Sequence, residues 1–201
     1  VINKVIRLII ISVFGIIGYL FLFSQDSLIT LTQREALKRA LGDFNKAPDF
    51  TLTALNDSIY NLRELEDKVV LINFWATWCG PCRMEIPEFN ELHKSYNEKG
   101  LEILGISVSD NKKQLKNFTK SFAVDYPLLY GGARDMNKIM KDYGGVYAVP
   151  SSFLIGKKGS VIWKYPGAIL KDYDPQTFAT LVYEIEKELK EQRKEGIPEG
   201  E

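Results

Sequence analysis

Apolar and polar positions divide this 201-residue chain into two parts. Leu8 to Phe23 (LIIISVFGIIGYLFLF) carries no charge and no proline, and Ser24 and Gln25 extend the uncharged run. As a helix, that run of about eighteen residues is roughly 27 Å long, against about 30 Å for the hydrocarbon core of a bilayer. It predicts a single transmembrane anchor. A cleaved signal peptide is the alternative, but its apolar region is shorter. No A-x-A-like site follows, and no Cys near the end offers a lipid attachment point. Lys4 and Arg7 precede the run, and Asp26 is the first charge after it. The positive-inside rule therefore leaves the N-terminal tip in the cytoplasm and sends the rest outward.

After the anchor the pattern changes. Thr32 to Glu35 fits a capping box, Ala36, Leu37, Ala40 and Leu41 make a short helical stripe, and Gly42 can end it. Beyond this tether, strand-like and helix-like periods alternate. Phe50–Leu52 and Ile59–Leu62 flank Asn56-Asp57, which predicts a hairpin. Val69–Trp75 and Leu101–Ser107 are almost wholly apolar, as expected of strands covered on both faces. Between them, Ile86, Phe89, Leu92 and Tyr96 predict a helix over Cys82–Lys99, kinked at Pro87 and stopped at Gly100. A second helix is expected to start at Asp110 and to carry Leu115, Phe118 and Phe122. Tyr126–Tyr130 reads as a short strand, and Met136, Ile139, Met140 and Tyr143 as a third helical stripe.

Ser152–Ile155 and Val161–Tyr165 flank Gly156-Lys157-Lys158-Gly159 as a second hairpin. The last helix has Asp174 as N-cap and Pro175 at its first position. Its apolar stripe is Phe178, Leu181, Val182, Ile185 and Leu189, and the charged stretch from Glu186 to Glu201 is expected to fray. Strand–helix–strand units ending in a hairpin and a helix define an α/β domain. Its expected form is a mixed central sheet with helices on both faces and an N-terminal β-hairpin extension. The predicted organisation is tip and anchor at 1–25, tether at 26–46, folded domain at 47–190 and charged tail at 191–201.

Charge and composition narrow the function. Lys+Arg and Asp+Glu are equal at 26 each, and the exported part has a slight negative excess. A chain without a basic field is a poor nucleic-acid binder, so no nucleic-acid partner is expected. Two Cys and one His exclude a disulfide-stapled scaffold and a four-ligand Cys/His zinc site. No metal and no cofactor is expected.

The chemistry concentrates in Trp78-Cys79-Gly80-Pro81-Cys82, between a buried strand and a helix start. At i, i+3 spacing the two sulfurs can approach to disulfide distance. The helix N-terminus offers free amide donors and a partial positive charge, which favour thiolate over thiol. Cys79, at the open end, is expected to attack. Cys82, one turn in and shielded, is expected to resolve the mixed disulfide. Pro81 fits the first turn, where its missing N–H costs little. Half of a metal site is the alternative, but His93 lies eleven residues beyond Cys82 and reads as a helix-surface residue. Haem attachment needs a His where Arg83 stands. A structural disulfide here would staple almost no chain.

These residues carry a resemblance. Phe74 to Cys82 (FWATWCGPC) resembles the active-site segment of the thioredoxin superfamily. Ala47-Pro48-Asp49-Phe50, Cys82 to Pro87 (CRMEIP) and Tyr143 to Ile155 (YGGVYAVPSSFLI) resemble its membrane-anchored TlpA/ResA/DsbE (CcmG) branch. The resemblance implies a thioredoxin-like fold over about residues 47–170. It implies a cis peptide bond before Pro150 and backbone hydrogen bonds from Val149 to an incoming peptide. Trp78, Gly80 and Pro81 complete the contact surface. It makes Glu85, one turn past Cys82, an acid that tunes the cysteines and helps move protons; otherwise Glu85 is simply a carboxylate near a helix N-terminus. Asn73 stands where cytoplasmic thioredoxin has a buried Asp, which fits the anchored branch.

The expected function is an anchored, extracytoplasmic thiol–disulfide oxidoreductase. In the resembled branch the clients are apocytochromes c, and the electron donor is a membrane thiol transporter of the DsbD/CcdA type. Other exported disulfide-bearing proteins are alternative clients. An oxidant or isomerase for secreted proteins, a peroxidase, and a copper-binding or cytochrome-assembly docking module are alternative functions. Against the peroxidase stands Ala76, where such enzymes carry Thr.

Overall fold

A computed structural model describes residues 46–195, with side chains over 46–190. The anchor at 1–25 and all but the last residue of the tether at 26–46 lie outside the described residues, as does the end of the charged tail. Among the described residues, no helix is long and apolar enough to cross a membrane.

Seven strands form one sheet in the order β2-β1-β5-β4-β3-β6-β7. The central pair is β3 (Val69–Trp75) and β4 (Leu101–Ser107), every residue of which is buried. They run parallel in register from Val69↔Leu101 to Trp75↔Ser107. On the other side of β3, β6 (Ser151–Ile155) runs antiparallel and pairs with β7 (Val161–Pro166). The sheet is therefore mixed, as the alternating pattern predicts. The hairpin of β1 (Thr51–Ala54) and β2 (Ile59–Asn61) joins the far edge, where β1 also pairs with β5 (Leu128–Tyr130).

Helices cover both faces. Alternate residues of β3 and β4 feed two separate cores, because successive side chains on a strand point to opposite sides. Val69, Leu71, Leu101 and Ile103 pack with Phe89 and Leu92 of α1 (Gly80–Tyr96), Leu115 of α2 (Lys112–Phe118) and Leu181 and Ile185 of α4 (Pro175–Glu195). Val70, Ile72, Phe74 and Leu104 pack with Met136 and Ile139 of α3 (Ala133–Asp142) and with the hairpin's Leu52. Gly105 in β4 has no room for a side chain: a Cβ would lie 2.8 Å from Leu128 Cδ2 and 3.0 Å from Tyr126 Cε2.

Local details differ from the sequence reading in four places. Helix α1 begins at Gly80, two residues before the predicted start, and contains Pro87, and a 3-10 turn (Asn97–Lys99) precedes Gly100. Gly100 stops it in the left-handed conformation (φ 107°) that glycine adopts without strain. Helix α2 starts not at Asp110 but after Asn111, which forms a capping box with Gln114. The stretch expected to fray from Glu186 stays helical to Glu195, anchored by buried Leu189. His93, read as a surface residue, is half-buried, and its buried Nδ1 has no hydrogen-bond partner.

Candidate active site

The turn from β3 into α1 carries the two cysteines. Cys79 is the N-cap of α1: its backbone is extended, and its Sγ accepts the Cys82 N–H at 3.2 Å. The sulfur thus occupies the place where Ser or Asp oxygens commonly cap helices. Gly80 and Pro81 fill the first turn, and Cys79 and Cys82 are joined by a disulfide with Cα atoms 5.3 Å apart. In the reduced protein the same amide and the positive end of the helix face Cys79, which favours its thiolate.

Both sulfurs are covered. Cys82 is 1% exposed, and Cys79, expected at an open end, is only 3% exposed. The cover is the segment before β6, since Cys79 Sγ lies 3.7 Å from the Val149 carbonyl oxygen and Val149 packs on the same core. The Val149-Pro150 peptide bond is cis, as the resemblance implies. Antiparallel pairing of β3 with β6, with Phe74 opposite Ser151, brings this segment alongside the end of β3. Trp78, by contrast, is 65% exposed, and its indole N–H donates to Ser109 Oγ at 3.0 Å.

Glu85 is a buried acid one turn past Cys82 on the same helical face. Its two oxygens have separate donors: Asn73 Nδ2 reaches Oε1 at 2.8 Å, and the Ile169 amide reaches Oε2 at 3.1 Å. Burial pushes its pKa up to about 8, against the opposing pull of the Ile169 amide and then of the Asn73 amide. The helix-terminus reading of Glu85 is therefore incomplete. Desolvation outweighs the local donors, and the group titrates near neutral pH instead of in the ordinary carboxylate range.

Four contributors have no functional signature in the sequence. Asp110 is a buried carboxylate that accepts from the Thr77 amide (2.8 Å), the Thr77 hydroxyl (2.6 Å) and the Ser107 hydroxyl (2.8 Å). It clamps the residues just before Trp78 and Cys79 to the end of β4. Ser152 accepts from the Asn73 amide at 3.0 Å. Thr77, Ser107 and Ser152 are common residue types in unremarkable local settings, and Asp110 resembles an ordinary helix N-cap; only the sheet register brings them together. Among the described residues, no group of three His, Cys, Asp or Glu is placed to hold a metal ion.

A buried cysteine pair capping a helix, on a mixed sheet of this topology, can cycle between disulfide and dithiol. It places the chain among thioredoxin-like thiol–disulfide oxidoreductases. Comparison with known proteins agrees. The chain is 39% identical over 129 residues to the thiol-disulfide oxidoreductase ResA of Bacillus thuringiensis, covering 63% of this chain and 71% of that protein. It is 34% identical over 135 residues to ResA of Geobacillus thermodenitrificans, covering 67% and 75%. Its fold is similar to a crystal structure of a thiol:disulfide interchange protein of the thioredoxin family from Chlorobium tepidum. There the TM-score is 0.61 and the identity 27%, covering 72% of this chain and 96% of that one. Residues 44–164 match the AhpC/TSA family, and the chain belongs to it. It is a thiol–disulfide oxidoreductase of the ResA/DsbE type.

Proposed function

We propose that this protein reduces disulfides of apocytochromes c on the outer side of the cytoplasmic membrane, tethered there by residues 8–23. The observation that carries the reading is the contact between Cys79 Sγ and the Val149 carbonyl oxygen, beside a cis-proline segment that can pair with an incoming chain. Cys79 thiolate attacks one sulfur of the client disulfide and expels the other as a thiolate. The Cys82 thiolate then attacks Cys79 Sγ, which releases the second client sulfur. Two electrons pass to the client, and the Cys79–Cys82 disulfide is left behind. Glu85 exchanges protons with the pair. Trp78, Gly80, Pro81 and the Val149-Pro150 segment receive the client backbone.

The apolar run and the charges around it support the location, and the Gly-Pro pair between the cysteines matches reducing thioredoxins. An exported reductant must be recharged against an oxidising compartment. A membrane thiol donor of the DsbD/CcdA type, as in the resembled branch, fills that need.

The test is the reduction potential of the Cys79–Cys82 pair in the full chain, held in detergent and equilibrated with glutathione or dithiothreitol buffers. It is paired with reduction of an oxidised C-x-x-C-H peptide. A value near or below that of thioredoxin, about −270 mV, with rapid peptide reduction, supports the reading. A value near that of DsbA, about −120 mV, makes the protein an oxidant and removes the apocytochrome assignment.

A further inference from the structure

Antiparallel pairing of β3 with β6 sets Asn73 directly opposite Ser152. Opposed residues on neighbouring strands point to the same face of a sheet. The face they share here is the one covered by α1, where Glu85 is buried. Asn73 Nδ2 is held between the two, 2.8 Å from Glu85 Oε1 and 3.0 Å from Ser152 Oγ. The carboxyl is therefore fixed at one oxygen by a side chain of the central strand. At the other oxygen it is fixed by the Ile169 amide, from the loop after β7. One buried chain of contacts links the cysteine-bearing helix, the central strand and the strand that follows the cis-proline.

We propose that Asn73, steadied by Ser152, is a positioning residue that orients Glu85 and sets the balance between its protonated and ionised forms. The inference rests on the reading of Glu85 as proton partner of the cysteines, and adds the residue through which that partner is tuned. The physical reason is the asymmetry of an amide. The Asn73 NH2 group only donates, so it favours a charged acceptor at Oε1. It neither takes nor gives a proton, so the network contains one titrating acid instead of two. An Asp at position 73 would set a second carboxyl against the first, and like charges that close cannot both ionise.

The groups facing Glu85 make the prediction clean. In the oxidised protein Cys79 and Cys82 do not titrate. Tyr126, held well above its ordinary range by burial and then by the Glu85 charge, stays neutral wherever Glu85 titrates. Asn73, Ser152 and the Ile169 amide carry no charge.

The experiment follows the carboxyl carbon of Glu85 by NMR against pH, in the oxidised full chain in detergent with 13C-labelled glutamate. The Glu85→Gln variant identifies the signal. In Asn73→Ala the acid is expected to become about tenfold weaker, moving the midpoint up by about one pH unit, as loss of one charge-assisted donor implies. Asn73→Ser, which is too short to reach Glu85, should give the same rise if the alanine variant does not fold. Ser152→Ala should give a smaller rise, and Asn73→Asp a titration in two steps. An unchanged midpoint in a folded Asn73→Ala or Asn73→Ser protein overturns the inference.

A second readout is the pH profile of Cys79 alkylation in the reduced protein. Asn73→Ala should shift that profile alone and leave it unmoved when Glu85→Gln is also present. A purely structural role for Asn73 would lower the melting temperature on both backgrounds and shift neither profile. If Glu85→Gln itself leaves the alkylation profile unchanged, the proton role of Glu85 fails, while the NMR midpoint still decides the role of Asn73.

Discussion

Cys79 Sγ lies 3.7 Å from the carbonyl oxygen of Val149, seventy residues further along the chain. The contact follows from sheet order: β6 runs antiparallel beside β3, so the segment before β6 meets the turn after β3. On the proposed entry along Val149, a client strand meets Cys79, the N-cap of α1, before Cys82, which lies within the helix. The two cysteines should therefore fail differently. Cys79→Ser is expected to abolish client reduction, by at least about a thousandfold if thiolate attack is the only route. Cys82→Ser should still attack, then stall as a mixed disulfide with the client peptide. Intact-mass measurement checks both. A trapped adduct on Cys82 in the Cys79→Ser protein would reverse the assigned roles.

Glu85 makes stability depend on pH with a defined sign. Its pKa is about 8 in the folded state, against a model-peptide value of 4.5. The folded protein therefore binds more protons than the unfolded chain between those values, and stability falls as pH rises through that window. The contribution is fully present below about pH 4.5 and gone above about pH 8. A shift of that size corresponds to about a few kcal/mol. Denaturant unfolding of the oxidised protein at pH 5.5 and pH 8.5 should show the loss, and Glu85→Gln should remove most of the slope.

Asp110 offers a test away from the sulfurs. Its carboxylate holds the Thr77 amide, the Thr77 hydroxyl and the Ser107 hydroxyl. Asp110→Ala leaves the half-buried Thr77 groups and the buried Ser107 hydroxyl without their acceptor, at a cost of about 1–3 kcal/mol. Thermal unfolding of the oxidised protein should register that loss. Asp110→Asn keeps a carbonyl acceptor at nearly the same place and should recover more than half of it.

How much of this was readable beforehand follows from the range of the interactions. Val69–Trp75 and Leu101–Ser107 announce themselves as buried strands because a two-sided strand needs apolar residues at every position. The cysteine pair is equally legible, since its chemistry depends on a spacing of three and a helix start. Glu85 is visible as a neighbour of Cys82, but its raised pKa is not. That depends on how completely α1 is covered and on donors from residues 73 and 169. Asp110 is misread for the same reason: an Asp before a helical stripe looks like a cap. Only the parallel pairing of β3 with β4 reveals that its partners are Thr77 and Ser107. Local rules found the elements, while long-range register assembled the polar network between them.

Trp78 separates client recognition from folding. Its side chain is 65% exposed, so little apolar area is buried in the free protein. Its indole N–H bond to Ser109 is solvent-accessible and contributes about 1 kcal/mol or less. Trp78→Ala should therefore leave the melting temperature nearly unchanged and keep the Cys79–Cys82 potential. On the proposed client surface, a large aromatic next to Cys79 in the chain would contribute about 2 kcal/mol when covered. The variant is thus expected to raise KM for an oxidised C-x-x-C-H protein client by about tenfold or more. Reduction of a small disulfide such as oxidised glutathione, which is too short to reach Trp78 and Val149 together, should change far less. Equal loss on both substrates would mean that Trp78 acts on the sulfur and not on the client.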